Sequence, residues 1–336
     1  MSRRRETRDR RAQRASRRTR ESRRARVQHR RRVRPRAREH AYRRLAAPAG
    51  RRGRARSNLR AVTTPDPRLP AVLSIAGSDS GGGAGIQADL KAFAACGVHG
   101  MTAITAITAQ STVGVDAVGA VEPELIVAQV RAVARDIGVD AVKIGMLGTV
   151  ATIAAVERAL DELEPETPIV LDPVMVAESG AELLELAARA ALIERLLPRV
   201  TVATPNVPEA RAIAGAPDAD VPELARAIHA LGPRCVVVTG GHRGQAVDVF
   251  YDGEALVAIP GERHPDGAAH GSGCTHASAL AAHLAHGFAP LEAARAAKRV
   301  AARAVRDGLR EIGHGAGPVD VLGVRANRPR RDGAPA

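Results

Sequence analysis

Short apolar runs recur along the chain at 72–76, 101–108, 141–144, 169–171, 200–203 and 236–239. Between them lie longer Ala-rich or Glu- and Arg-containing stretches of helical character, near 84–96, 122–136, 149–162, 181–197 and 207–230, and a further Ala-rich helical run opens near Cys274. Strand-length runs alternating with helix-length ones predict an α/β domain: a mostly parallel central sheet with helices on both faces. Ligands in such sheets bind beyond the carboxyl ends of the strands. The informative loops are therefore those after positions 76, 108, 144, 171, 203 and 239, with the loop leading to Cys274.

Composition changes that picture at one end only. Residues 1–68 hold 27 Arg against five acidic residues, a net of +22, with few apolar side chains. The whole-chain totals of 50 basic and 36 acidic residues then leave 23 basic against 31 acidic for positions 69–336, a net of −8. The basic character belongs to the head, and an apolar-poor segment cannot offset its ordering entropy, so 1–68 is expected to be a disordered Arg-rich extension. A single domain over 69–324 and a flexible tail over 325–336 complete the expected organisation. The head could touch nucleic acid nonspecifically, but it lacks aromatic interleaving and a folded motif. A secretory signal would need an apolar core, and Glu6, Asp9 and Glu21 weaken a transit-peptide reading. A dispensable extension, or a start placed too early, is the preferred reading.

The stretch His270-Gly271-Ser272-Gly273-Cys274-Thr275-His276 opens a helix with glycine-flanked amides beside one thiol. The first four N–H groups of a helix have no partner inside it and sit at the positive end of its dipole, so this start suits an anion, and a thiol there is expected to lose its proton more easily. The Gly-rich turn Gly77 to Asp89 also lets backbone approach a ligand. Gly83, Gly85 and Ala88 fit a loose dinucleotide fingerprint, but no acidic residue follows at the ribose-binding distance, and no Gly-Lys-Ser/Thr marks a phosphate loop.

Seven motifs in order identify a resemblance. Ala76 to Lys91, Thr105 to Gln110, Lys143 to Leu147, Asp172 to Met175, Thr204 to Ala210, Gly240 to His242 and His270 to Thr275 resemble the hydroxymethylpyrimidine/phosphomethylpyrimidine kinases of thiamine biosynthesis, members of the ribokinase-like superfamily. The likeness spans about Val72 to Leu322. It implies a ribokinase-like fold, ATP and Mg2+ as cofactors, and phosphorylation of 4-amino-5-hydroxymethyl-2-methylpyrimidine and then of its monophosphate.

The same resemblance implies residue roles. Asp89, Gln110, Met146, Val174 and Gly77 would contact the pyrimidine, although Asp89 also suits a helix-start acid complementing the dipole. Asn206, Glu209, Thr239 and Gly241 would serve the nucleotide, with Asn206 equally suited to cap a helix from Val207. Glu209 and Asp172 would hold Mg2+, which needs few carboxylates. Cys274 would take the alcohol's proton while the amides of Gly271, Ser272, Gly273 and Cys274 neutralise the transferring phosphoryl group. Two positions depart from the family's pattern: Glu178 and Thr239 stand where many members have Lys, which removes two possible phosphate clamps.

Three cysteines form an odd set, with Cys96 and Cys235 in apolar contexts as expected buried thiols, which suits a reducing, cytoplasmic setting, and no apolar run reaches membrane-spanning length. His270, His276, His283 and His286 lack zinc spacing and are expected to be ordinary helix-face histidines. A small-molecule enzyme acting as a homodimer is expected. The alternatives are a pyridoxal or pyridoxine kinase of the same superfamily and, lower, a nucleic-acid-associated protein working through the Arg head. Removal of residues 1–64 is expected to leave folding and catalysis unchanged and to abolish retention on heparin at low salt. Loss of folding or unchanged retention would show that the basic surface lies elsewhere.

Overall fold

The computed structural model of the chain describes residues 68–178, 180–240, 246–265 and 267–328. The Arg-rich extension apart from Arg68, the tail beyond residue 328, and Gly241 lie outside these residues. The chain divides into Met1–Thr64 and Pro65–Ala336, and every described element belongs to the second unit. Arg68, which composition assigns to the head, makes a 2.6 Å ion pair with Asp140 of the body.

The elements run β1 (Ala71–Asp79), α1 (Gly85–Ala95), β2 (His99–Gln110), β3 (Val115–Ala120), α2 (Pro123–Asp136), β4 (Ala141–Ile144), α3 (Val150–Leu160), β5 (Ile169–Leu171), α4 (Leu186–Ala191), β6 (Val202–Ala203), α5 (Val207–Ala214), α6 (Val221–His229), β7 (Cys235–Val238), β8 (Asp248–Tyr251), β9 (Leu256–Ile259), α7 (Ser272–Ala285) and α8 (Pro290–Arg306). They build one nine-stranded sheet in the order β3-β2-β1-β4-β5-β6-β7-β8-β9. The six strands from β2 to β7 are parallel, as the alternation predicts. Antiparallel strands close both ends, β3 beside β2 and β8–β9 beside β7.

Alternation along each strand divides the core in two. Leu73, Ile75, Val142, Ile144, Leu171, Ala203, Val236 and Val238 face α2 to α6, while Val72, Ala141, Val170, Val202, Cys235 and Val237 face α1, α7 and α8. Both faces are covered, so the parallel strands read as continuous apolar runs. Aromatics contribute little, and the interior is built from aliphatic side chains with Phe93 and Phe250 buried among them.

Two expected helices differ in extent. The 207–230 stretch breaks at Gly215, whose φ of 62° ends α5 before Asp220 starts α6 with its own capping box. The 181–197 stretch becomes helical only at Leu186 and widens into a π turn over 192–196. Among the described residues no helix is long and apolar enough to cross a membrane.

Candidate active site

A cavity of about 420 Å³ opens along the carboxyl edge of the parallel strands. Its phosphate-like end is the start of α7. Gly271 enters that helix with φ of 82°, and a Cβ on it would lie 1.8 Å from the carbonyl oxygen of Gly83. Only glycine fits there. The loop that starts α7 is thus pressed onto the Gly-rich turn after β1. Asp79 braces the same turn: its carboxylate accepts from the amides of Gly81, Gly83 and Ala84 at 2.8–3.0 Å and lies 3.2 Å from His270 Nε2. Burial pushes the Asp79 carboxyl up, but His270 and those amides hold it below its ordinary range.

Gly271, Ser272, Gly273 and Cys274 all line the cavity, as do Gln110, Met146, Val174 and Gly77 toward the β2 side. Thr105 donates to the Met146 carbonyl at 2.8 Å, and a Cβ on Gly77 would sit 2.9 Å from the Met146 sulfur, so Gly77 makes room for that side chain. Gln110 is fixed through its backbone, which bonds the Ser80 hydroxyl in both directions, leaving its amide at the cavity edge. Asn206, Glu209, Thr239 and Asp172 line the other half.

Asp89 is a correction. It is fully buried, and its carboxylate accepts from Lys143 Nζ at 2.9 Å, Ser278 at 2.7 Å and Ser74 at 2.6 Å. Both oxygens are taken up by these protein donors, so the geometry gives it a structural role in place of pyrimidine contact. It is the counter-ion of Lys143, a side chain with no exposed surface that lines the cavity floor and lies 3.9 Å from Asp172 Oδ2. Burial works against the Lys143 charge, but Asp89 foremost, with Cys274 and Asp172, holds its pKa above that of ordinary lysine.

The expected easy ionisation of Cys274 is also corrected. The residue is half-buried, and its surroundings desolvate the thiol and push it up to about 12; Lys143 opposes that shift, and Asp172 and Asp89 reinforce it. Helix-terminus polarity does not outweigh burial here. Asn206 caps α5 in a reciprocal capping box, its side chain accepting from the Glu209 amide and the Glu209 carboxylate accepting from the Asn206 amide, both at 2.9 Å. Burial raises the Glu209 carboxyl to about 8, with Asp172 adding repulsion and the amides of Asn206 and Met175 opposing. Burial likewise raises Asp172 to about 6 against the pull of Lys143.

Among the described residues no three His, Cys, Asp or Glu side chains converge on one metal position. Asp172 Oδ2 is nevertheless buried and accepts no hydrogen bond among the described residues. A carboxylate oxygen without a hydrogen bond, near a second buried carboxylate, fits a Mg2+ that would take its remaining ligands from water and phosphate. The four histidines split: His270 and His276 are buried at the cavity, whereas His283 bonds the Ala279 carbonyl and His286 that of Cys96.

The family described as phosphomethylpyrimidine kinase matches residues 79–320, from the Gly-rich turn to beyond α8. The chain belongs to that family. A hydroxymethylpyrimidine/phosphomethylpyrimidine kinase of Rhizobium meliloti (strain 1021) is 52% identical over 256 residues, covering 74% of this chain and 95% of its own length. The ADP complex of Bacillus subtilis pyridoxal kinase superposes with a TM-score of 0.70 at 39% identity over 77% of this chain and all of that one. The phosphomethylpyrimidine kinase of Clostridium difficile 630 gives 0.61 at 41% identity, covering 68% and 96%. The ribokinase-like fold follows from these structures.

Lys143, Asp79, His270, Asp248, His276 and Lys298 all line the cavity of this phosphomethylpyrimidine kinase family member, and the sequence alone assigns none of them a role there. Lys143 had a signal, a charge inside the four-residue apolar strand β4 whose every residue is buried. Two outcomes are expected. Asp89→Asn leaves Lys143 buried without its counter-ion and is expected to cost about 3–5 kcal/mol of stability in denaturant unfolding, while the Michaelis constant of any surviving enzyme stays near the wild-type value. A changed Michaelis constant at unchanged stability would return Asp89 to the substrate. Glu209 has a folded pKa raised from 4.5 to about 8, so folding favours its protonated form. Stability of the ligand-free protein therefore falls as pH rises from about 4.5 to 8, and Glu209→Gln, which preserves the cap, is expected to flatten that fall in thermal melts.

Proposed function

We propose that this chain transfers the γ-phosphoryl group of ATP to the hydroxymethyl group of 4-amino-5-hydroxymethyl-2-methylpyrimidine and then to the resulting monophosphate, forming the diphosphate for thiamine biosynthesis. The observation that carries it is one cavity in which the Gln110, Met146 and Val174 wall faces the glycine-lined start of α7. A flat aminopyrimidine needs an amide for its ring nitrogens and apolar faces above and below, which these three side chains supply. The Ser272 amide is taken up by the Ala269 carbonyl at 2.9 Å, and the amides of Gly271, Gly273 and Cys274 remain to meet negative charge as it develops on the phosphoryl oxygens. Phosphoryl transfer depends mostly on such positioning and charge stabilisation.

ATP as donor is supported by relatives crystallised with ADP and with an ATP analogue. Asp172 and Glu209 would hold Mg2+, which supplies positive charge to the phosphates. Departures at Glu178 and Thr239 leave that neutralisation to the α7 amides and the metal. The alcohol is a poor nucleophile until its proton leaves. Cys274 and Asp172 line the same part of the cavity; the Asp172 carboxylate would take the thiol proton, and the sulfur would then receive the proton of the alcohol. The second acceptor is a phosphate monoester already charged at neutral pH and needs no base. A pyridoxal kinase reading is kept by the 0.70 TM-score with the Bacillus subtilis enzyme, since pyridoxal also offers a primary alcohol on a flat ring.

A coupled assay with the pyrimidine alcohol, its monophosphate and pyridoxal decides the acceptor, and higher kcat/KM for the two pyrimidines is expected. Turnover of pyridoxal alone would overturn the proposal. In the same assay Cys274→Ser is expected to slow the alcohol step by about 100-fold or more while leaving the monophosphate step within a few-fold. Equal loss of both steps would make Cys274 part of the shared anion site, with the proton leaving by another route.

A further inference from the structure

Beyond the phosphate region the cavity ends in a polar cluster that the transfer chemistry does not use. Lys298 of α8 donates to Asp248 Oδ1 at 2.6 Å, and the Gly240 amide donates to the same oxygen at 3.0 Å. His276 of α7 brings Nε2 to 3.6 Å from Asp248 Oδ2, too far for a hydrogen bond. Asp248 Oδ2 and both ring nitrogens of His276 are buried and have no hydrogen-bond partner among the described residues. His276 is only 4% exposed. Unpaired buried polar atoms are costly, and these three, on two adjacent cavity-lining side chains, call for a partner that the described residues do not supply. Lys298 lines the cavity with 12% of its side chain open and has donors to spare after Asp248.

The chemistry of the set identifies the partner. One cation balances one carboxylate. Burial lowers the His276 pKa, with Lys298 adding to that shift and Asp248 opposing it, which keeps the imidazole neutral with one donor and one acceptor. A balanced donor and acceptor set suits hydroxyl groups, whereas a phosphate would seek net positive charge. Position agrees. The strand order places β8 three strands beyond β5, on the side away from Gln110, and Ala301, Ala302 and Val305 of α8 continue the cavity there as an apolar shelf suited to a base.

We propose that Asp248, His276 and Lys298 bind the ribose hydroxyls of the nucleotide and so determine selection of a ribonucleotide donor; this rests on the ATP-dependent kinase reading above. The cluster is a specificity site for the sugar. A carboxylate accepting from ribose hydroxyls is a general solution in nucleotide pockets, and here His276 supplies the second contact.

The test compares ATP with 2′-deoxy-ATP and 3′-deoxy-ATP as donors to the pyrimidine alcohol, using the full chain. Wild-type enzyme is expected to show a Michaelis constant roughly tenfold higher for at least one deoxy donor, the size of one hydrogen bond lost in a dry site. His276→Leu is expected to bring that ratio close to one while the Michaelis constant for the pyrimidine stays unchanged. His276→Gln, which keeps a donor and an acceptor, is expected to retain part of the discrimination and serves if the Leu variant does not fold. Equal use of all three donors by the wild-type enzyme, or an undiminished ratio in folded His276→Leu, would overturn the proposal. Turnover with ATP and no sugar discrimination removes this inference alone; no turnover of either pyrimidine removes the kinase reading itself.

Discussion

The charge of Lys143 is the constraint on which the site depends. A lysine in the middle of an apolar parallel strand is costly to leave unpaired, because the loss of a buried counter-ion takes a large share of a domain's marginal stability. The fold answers by converging Asp89 from α1, Ser74 from β1, Ser278 from α7 and Asp172 after β5 on one point. Asp89 and Asp172 meet the ammonium group itself, while Ser74 and Ser278 hold Asp89 in place, so four elements are tied to one buried ion pair. The Ser278 bond to Asp89 ties α7 to the sheet, and with it the helix start that lines the cavity.

Electrostatics at the floor are strained in the absence of ligands. Burial drives Asp172, Glu209 and the Cys274 thiol all toward their neutral forms. Groups held away from their preferred charge states form a receptor for positive charge, which the nucleotide's metal would supply. Burial thus keeps the Cys274 thiol from being a standing thiolate.

The parallel strands were legible because both of their faces are buried, so each appears as an unbroken apolar run. Strands β3, β8 and β9 were not. All but the first residue of β3 are exposed, which leaves no apolar face to read, and β8 and β9 are four-residue strands at the far edge. Most cavity residues followed from the loops at strand ends, since that placement is a property of the topology. Asp89 was misplaced because a helix acid can turn inward, and only a residue 54 positions away decides that it does. The Cys274 shift depends likewise on packing from distant segments. His276 carried a signal that went unread: it sits in a helix with nine of its 14 residues buried, itself among them, so no solvent face was available to it.

The contact between Gly83 and Gly271 has a kinetic meaning. The turn after β1 and the loop that starts α7 both line the cavity, and they approach so closely at Gly83 and Gly271 that no side chain fits between them. Their separation is set when the chain folds. Ligand binding then has only to fill the two halves, and the orientation of the reacting groups draws on order already present in the protein. The spacing at which transfer occurs is thus a folded-state property of the enzyme, shared by both of its phosphorylation steps.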